Sequence, residues 1–264
     1  IYGFAQRMRH LVFRKLLVGV SGGLDSVLAL LVACKAFDTL PLDRKGIIAV
    51  TRPALATSER TSNTAIKLIA ALGVTKKAIN LKEHVIDHLN LIGHDGVTED
   101  TTYENAQARA RTMALMNLAN QVEGIVLGTG DLSEIALGWS TYNGDQMSMY
   151  NVNAGPPKTL VRFMIRSFAE HVFSGDVSAC LEDIVATPIS PELKKDQATE
   201  SQIGKYEIND VILYRFLACG DIEARIIYLL KSVFGLDEEQ ATAYTDNFFK
   251  RFYSQQYKRQ ASPD

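Results

Sequence analysis

Apolar positions along the chain alternate between two rhythms. Short unbroken runs, Leu16-Leu17-Val18-Gly19-Val20, Ile47-Ile48-Ala49-Val50 and Ile125-Val126-Leu127, have the length and branching of strands buried on both faces. They predict strands over 15–20, 45–51 and 124–129, with residues 77–81 as a weaker candidate. Between them apolar residues recur at three- and four-residue spacing, which predicts helices over 24–36, 59–72, 83–90 and 103–121. A further helix is expected over 1–12. Strand and helix take turns, so the connections should be right-handed and the sheet parallel, an α/β fold. Beyond about residue 157 only the helical rhythm remains. Segments 176–184, 207–219, 221–234 and 237–251 read as helices, the last two split by Gly235. No composition shift marks a linker, and residues 1–264 are expected to form one unit.

Polar residues cluster where the predicted strands end, at 21–26, 51–53 and 129–134. In a parallel α/β sheet the carboxyl ends of the strands line the ligand crevice, so these three clusters should converge. The first is the most specific. Gly19 and Val20 close the strand, and Ser21-Gly22-Gly23-Leu24-Asp25-Ser26 leads directly into a helix. Glycines let backbone approach a phosphate, and a helix N-terminus aims N–H groups and partial positive charge at it. No lysine follows Gly23, which excludes a Walker loop, and the spacing excludes a Rossmann dinucleotide turn. S-G-G-x-D-S after a first strand resembles the loop of the N-type ATP pyrophosphatases, which cut ATP to AMP and pyrophosphate. Thr51, at another strand end, is expected near the adenine.

Further residues gain meaning from their spacing. Asn105 and Arg109 are four apart and share a helix face, which suits a polar anionic ligand. Taken alone they read rather as a solvated helix face with alternating charge. Thr129-Gly130-Asp131-Leu132-Ser133-Glu134 is a second strand-to-helix turn, in which Asp131 can cap the helix with Glu134 three residues on. The chemical reading sets Glu134 opposite Asp25 as the second carboxylate of a Mg²⁺ site, since magnesium takes one or two carboxylates plus substrate phosphates.

Longer strings narrow the reading. Y-E-N-A-Q-A-R from Tyr103, G-T-G-D-L-S-E from Gly128, A-L-G-W-S-T-Y-N-G-D from Ala136 and P-K-T-L-V-R from Pro157 together resemble the NAD synthetase family. In particular they are similar to the synthetase portion of its glutamine-dependent branch. The resemblance runs from about residue 2 to the end. It implies a Rossmann-like, doubly wound parallel sheet of the N-type ATP pyrophosphatase kind with a helical C-terminal part. The implied activity is ATP-dependent amidation of deamido-NAD, through an adenylate and with release of AMP and pyrophosphate. By the same resemblance Gly19, Val20, Ser21, Gly22, Gly23, Leu24, Asp25, Ser26, Thr51, Thr129, Lys158 and Ser190 serve ATP. Asp25 and Glu134 hold Mg²⁺, and Asp25, Glu134 and Lys158 are the catalytic set. Asn105, Arg109, Glu134, Trp139, Ser140, Thr141, Tyr142 and Lys258 serve deamido-NAD. Trp139 and Tyr142 would flank the nicotinate ring by stacking, although Trp139 also reads as core. Lys258 sits in a basic–aromatic tail that fits a lid, or else the polar end of an amphipathic helix.

Tyr142 and Met149 stand where ammonia-only members often carry lysine and aspartate, which favours the glutamine-dependent branch. Such members carry an upstream amidase domain that supplies ammonia. The chain opens on Ile1, so residues are expected to be missing upstream. Residues 194–197 are shorter than the usual family loop. A homodimer in the cytoplasm is also implied.

Composition then limits the alternatives. With 28 basic and 30 acidic residues the chain lacks the basic excess of a nucleic-acid enzyme. No apolar stretch approaches bilayer length, so no membrane partner is expected. Cys34, Cys180 and Cys219 are odd in number and form no C-x-x-C pair, which fits reduced thiols better than a disulfide or zinc framework. Two other readings stay open: another pyrophosphatase-loop amidoligase such as a GMP synthetase-like enzyme, and a non-catalytic nucleotide-binding module.

Overall fold

A computed structural model describes residues 1–11, 13–51, 59–187 and 199–262. The elements run α1 (Tyr2–Leu11), β1 (Leu16–Gly19), α2 (Leu24–Thr39), β2 (Ile47–Thr51), α3 (Glu59–Ala71), β3 (Thr75–Ala78), α4 (Lys82–Leu91), α5 (Thr101–Val122), β4 (Ile125–Gly128), α6 (Leu132–Leu137), β5 (Tyr150–Asn151) and α7 (Lys158–His171). Six further helices follow: α8 (Asp176–Ala186), α9 (Thr199–Ile203), α10 (Tyr206–Leu217), α11 (Glu223–Phe234), α12 (Glu238–Ser254) and α13 (Gln256–Gln260).

The five strands form one parallel sheet in the order β3-β2-β1-β4-β5. Successive side chains of a strand point to opposite faces, and both faces are covered. Leu16, Val18, Ile47, Ala49, Ile125 and Leu127 join a core with α1, α2, α3, α7 and α8. Leu17, Val50 and Val126 pack under α5 instead. This two-sided burial is why the strands read as unbroken apolar runs, and it makes the sheet doubly wound. A separate apolar cluster joins α6 to helices α10–α12, the helical part expected from the C-terminal pattern. No helix among the described residues is long and apolar enough to cross a membrane.

Two elements depart from expectation. The third strand lies at Thr75–Ala78 rather than 77–81, because Asn80 already turns the chain by accepting the Lys82 N–H at 3.0 Å. It is an edge strand with exposed Lys76 and Lys77, so it lacks the apolar run that marks the inner strands. Lysines on an edge also discourage pairing with another sheet. The two-residue β5 carries no periodicity to detect.

Strand order reverses between β1 and β4. That switch point opens a crevice beyond the carboxyl ends of these two neighbouring strands, where the loops at 20–23 and 129–131 meet.

Candidate active site at the switch point

The loop after β1 is shaped by its glycines and hydroxyls. Gly22 has φ +98°, a conformation that L side chains rarely adopt. The Ser26 hydroxyl accepts from the Ser21 and Gly22 N–H groups, each at 3.3 Å, and donates to the Gly23 carbonyl at 3.0 Å. The Ser21 hydroxyl accepts from the Gly23 N–H at 3.1 Å. Val20 stays in register through its N–H to the Val50 carbonyl at 3.0 Å. Leu24 is buried in the core and starts α2, with Asp25 in its first turn. The cradle is thus preformed, with the α2 N-terminus pointing into the crevice.

The turn after β4 comes up beside it. A Cβ at Gly128 would lie 2.4 Å from the Ser148 hydroxyl oxygen, so only glycine fits at that strand end. Asp131 caps α6, its Oδ1 accepting the Glu134 N–H at 2.8 Å. The expected capping box is only half made, because the Glu134 side chain turns away to Lys158. Asn153 joins the two loops. It is fully buried, and its amide donates to the Asp25 carbonyl and to the Thr129 carbonyl, each at 2.9 Å. Asn151 assists by donating to the Gly130 carbonyl at 2.8 Å.

Lys158 is the centre of the arrangement. It opens α7 and is only 2% exposed. Its Nζ donates to Asp25 Oδ2 at 2.6 Å and to Glu134 Oε1 at 2.9 Å. Asp131 Oδ2 lies 2.8 Å from the same nitrogen and completes the ion-pair cluster. The Tyr206 ring lies beneath, its centroid 5.4 Å from Nζ. A cation at a helix N-terminus opposes the helix dipole, and the three acids compensate for that. Burial alone would depress the ammonium, but Glu134, Asp25 and Asp131 outweigh it and hold the group charged, its pKa well above the ordinary lysine value. Burial pushes the Glu134 carboxyl up to about 7, with Lys158 opposing and Asp25 adding to the rise. Asp131 is driven up by burial and then by the Glu134 charge.

Asp131 therefore does more than cap a helix, the role that sequence pattern gave it. One oxygen caps and the other faces Lys158. Ligand oxygens of Asp25, Asp131 and Glu134 all lie within 4.8 Å of one another, and Asp25 Oδ1 is buried without a hydrogen-bond partner. Hard carboxylate oxygens gathered around fewer positive charges fit a divalent cation such as Mg²⁺.

The remaining expected residues fall into three groups. Thr51 ends β2, buried beside β1, its carbonyl accepting the Ile79 N–H at 2.9 Å. Residues 138–146 form a second layer around α5 and the C-terminal tail. Thr141 donates its hydroxyl to Asn105 Oδ1 at 2.8 Å, and Arg109 Nε donates to the Tyr142 carbonyl at 3.3 Å. Asn105 and Arg109 thus hold the loop that carries Ser140, Thr141 and Tyr142. Lys258 reaches the same loop, its ammonium donating to the Gly138 and Ser140 carbonyls at 2.8 and 2.6 Å. Tyr142 is exposed and leans on Tyr257, ring centroids 5.4 Å apart. Trp139 is partly buried and packs against the C-terminal helical cluster beneath the Arg251 guanidinium, 5.3 Å from its ring centre. Ser190 and residues 194–197 lie outside the described residues.

Asn153 and Asp210 went unnoticed in the sequence. Asp210, on α10, is buried and accepts the Thr159 N–H at 2.9 Å and the Thr159 hydroxyl at 2.7 Å. It also accepts the Ser133 hydroxyl. No local pattern marks either residue, because their partners lie 24 to 128 positions away in the chain.

Comparison with known proteins identifies the family. The sequence model of the NAD synthase family matches residues 3–261. The glutamine-dependent NAD(+) synthetase of Mycobacterium leprae is 41% identical in an alignment covering all of this chain and 43% of that protein. The chain thus spans less than half the length of the curated relatives that it matches with this identity. Two solved structures share the fold. The glutamine-dependent NAD(+) synthetase of Cytophaga hutchinsonii superposes with a TM-score of 0.79 at 16% identity, over 98% of this chain and 48% of that one. The NMN synthetase of Francisella tularensis superposes with a TM-score of 0.71 at 19% identity, over 98% and 92%. With a family model covering nearly its whole length, the chain belongs to the NAD synthase family.

Proposed function

We propose that this chain catalyses the ATP-dependent amidation of deamido-NAD to NAD. One observation carries the reading. A charged, buried lysine is held between a carboxylate of the glycine loop, Asp25, and a carboxylate of the neighbouring strand end, Glu134, beside the α2 N-terminus. That arrangement suits a polyphosphate split at the switch point.

In this reading the nicotinate carboxylate oxygen attacks the α-phosphorus of ATP. The bond to the pyrophosphate oxygen breaks, and an adenylate forms. Ammonia then attacks the carboxyl carbon, loses a proton, and displaces AMP. The loop at 21–26 and the α2 dipole hold the phosphates, and Lys158 faces the charge that develops as pyrophosphate leaves. Preorganised cations aimed at developing charge are a large source of rate enhancement. Asp25 and Glu134, with Asp131 adjoining, are the residues that would hold Mg²⁺, which when bound neutralises phosphate charge. Thr129 and Ser190 are assigned to ATP. The loop carrying Trp139, Ser140, Thr141 and Tyr142, braced by Asn105, Arg109 and Lys258, is assigned to the dinucleotide. The resemblance extends the reading to a cytoplasmic homodimer fed with ammonia by a glutamine-hydrolysing part.

The test is turnover of this chain with ATP, Mg²⁺, deamido-NAD and ammonium, products separated by chromatography. NAD, AMP and pyrophosphate in equal amounts are expected, and glutamine should not replace ammonium unless an amidase domain is supplied. Formation of ADP, or no product from a folded sample, overturns the proposal.

A further inference from the structure

Lys158 does its work from the first turn of α7, so something must fix that turn. Pro157 precedes it as the N-cap and makes no side-chain cap. The two N–H groups that open the helix are satisfied from other elements. The Lys158 N–H donates to the Ser133 hydroxyl at 2.9 Å, and the Thr159 N–H donates to Asp210 Oδ2 at 2.9 Å. The Ser133 hydroxyl in turn donates to Asp210 Oδ1, so both N–H groups lead to one carboxylate. Asp210 stands one helical turn from Tyr206 on α10, and the Tyr206 ring lies against the Lys158 ammonium. Thus α10 reaches Lys158 at both ends, Tyr206 directly at the ammonium and Asp210 through Ser133 at the backbone.

A buried carboxylate is costly, and burial raises the Asp210 pKa against the hydrogen bonds that lower it. A neutral cap would satisfy the same backbone at less cost. What the anion adds is a full charge at the N-terminus of α7, favourable to the helix dipole, and a rigid three-donor clamp.

We propose that Asp210 is a positioning residue for the adenylation step: it sets the first turn of α7, and through it the place of the Lys158 ammonium relative to Asp25 and Glu134. This rests on the reaction proposed above. Asp210 touches no reacting atom, and its influence runs through the position of Lys158.

That dependence supplies the test, a double-mutant cycle on the full chain. Asp210→Asn should keep a folded protein by circular dichroism, lower kcat by about tenfold or more, and leave the KM for deamido-NAD within about twofold. In a Lys158→Met background the same change should alter kcat by less than about twofold. Calorimetric binding of ATP with Mg²⁺ should show the same pattern, and it needs no turnover. A wild-type chain that makes no NAD refutes the reaction, and the binding cycle then still decides the positioning role. A folded Asp210→Asn protein with wild-type kcat refutes positioning alone. So does an equal loss in both backgrounds, which is the mark of a general packing role. Should Asp210→Asn fail to fold, Ser133→Ala removes only the link to the Lys158 N–H and should lower kcat by about threefold; an unchanged kcat overturns the inference.

Discussion

Replacing Asn153 by leucine tests whether the two phosphate-facing loops are pinned to each other by one side chain. Leucine keeps the γ-branched outline and removes both donors. The loss is worked from the contacts. Two hydrogen bonds at 2.9 Å disappear, each worth about 0.5–1.5 kcal/mol net. The Asp25 carbonyl lies in the first turn of α2, where the helix offers it a second donor, whereas the Thr129 carbonyl is left bare at a cost of about 1–3 kcal/mol. Against this, Asn153 Oδ1 is itself buried without a partner, and removing it returns part of that. The expected destabilisation is about 2–4 kcal/mol, read as a shift of the urea midpoint at unchanged slope. Asparagine to aspartate should cost more, because it sets a buried negative charge against two carbonyl oxygens. If the loops are pinned only there, the surviving fold should also bind ATP at least about tenfold more weakly, because an ångström of misplacement weakens every contact to the phosphates. A destabilisation below about 1 kcal/mol, or undiminished ATP affinity, would refute the reasoning.

Lys258→Ala should raise the KM for deamido-NAD by about tenfold and leave that for ATP unchanged, because the lysine holds the Gly138 and Ser140 carbonyls on the dinucleotide side; an unchanged KM in steady-state kinetics would reduce Lys258 to a helix-end contact. Asp38→Asn should cost no more than about 1 kcal/mol by urea unfolding, since its bidentate pair with Arg44 is partly exposed. Arg44 holds the Asp38 carboxyl below its ordinary value, so the cost should be full above about pH 4 and fade as pH falls through the lower folded-state value; a cost that grows in acid contradicts the pairing. Ellman's reagent should find one fast thiol, the exposed Cys219, whereas Cys34 is fully buried and pushed up to about 12 by burial; rapid reaction of Cys34 in the native protein would contradict its place in the core.

The inner strands and the loop at 21–26 were legible because their causes are local. Burial on both faces writes an unbroken apolar run, and a phosphate cradle writes glycines and hydroxyls at fixed spacing. The edge strand β3 was misplaced because its two lysines face water and leave no such run. Asn153 and Asp210 were illegible for the opposite reason. Each is an ordinary polar residue until the fold brings it against backbone far away in sequence, and only the closed structure gives its amide or carboxylate a partner.

Asp131 shows where reading by pattern misleads even when it is right. Its spacing to Glu134 gave a capping role, and the cap is there. Structure and chemistry then looked like exclusive alternatives for the same residue, yet a carboxylate has two oxygens. One is spent on the α6 N–H and fixes the side chain; the other is thereby aimed at Lys158, 2.8 Å away. Glu134 is released from the reciprocal half of the capping box by the same geometry and turns its own oxygen to that ammonium. The incomplete box is therefore what frees a second acid for the site. A reciprocal box, with the Glu134 side chain folded back on the Asp131 N–H, would have left Lys158 with two carboxylates instead of three. It would also have taken Glu134, one of the two residues assigned to Mg²⁺, out of reach of Asp25.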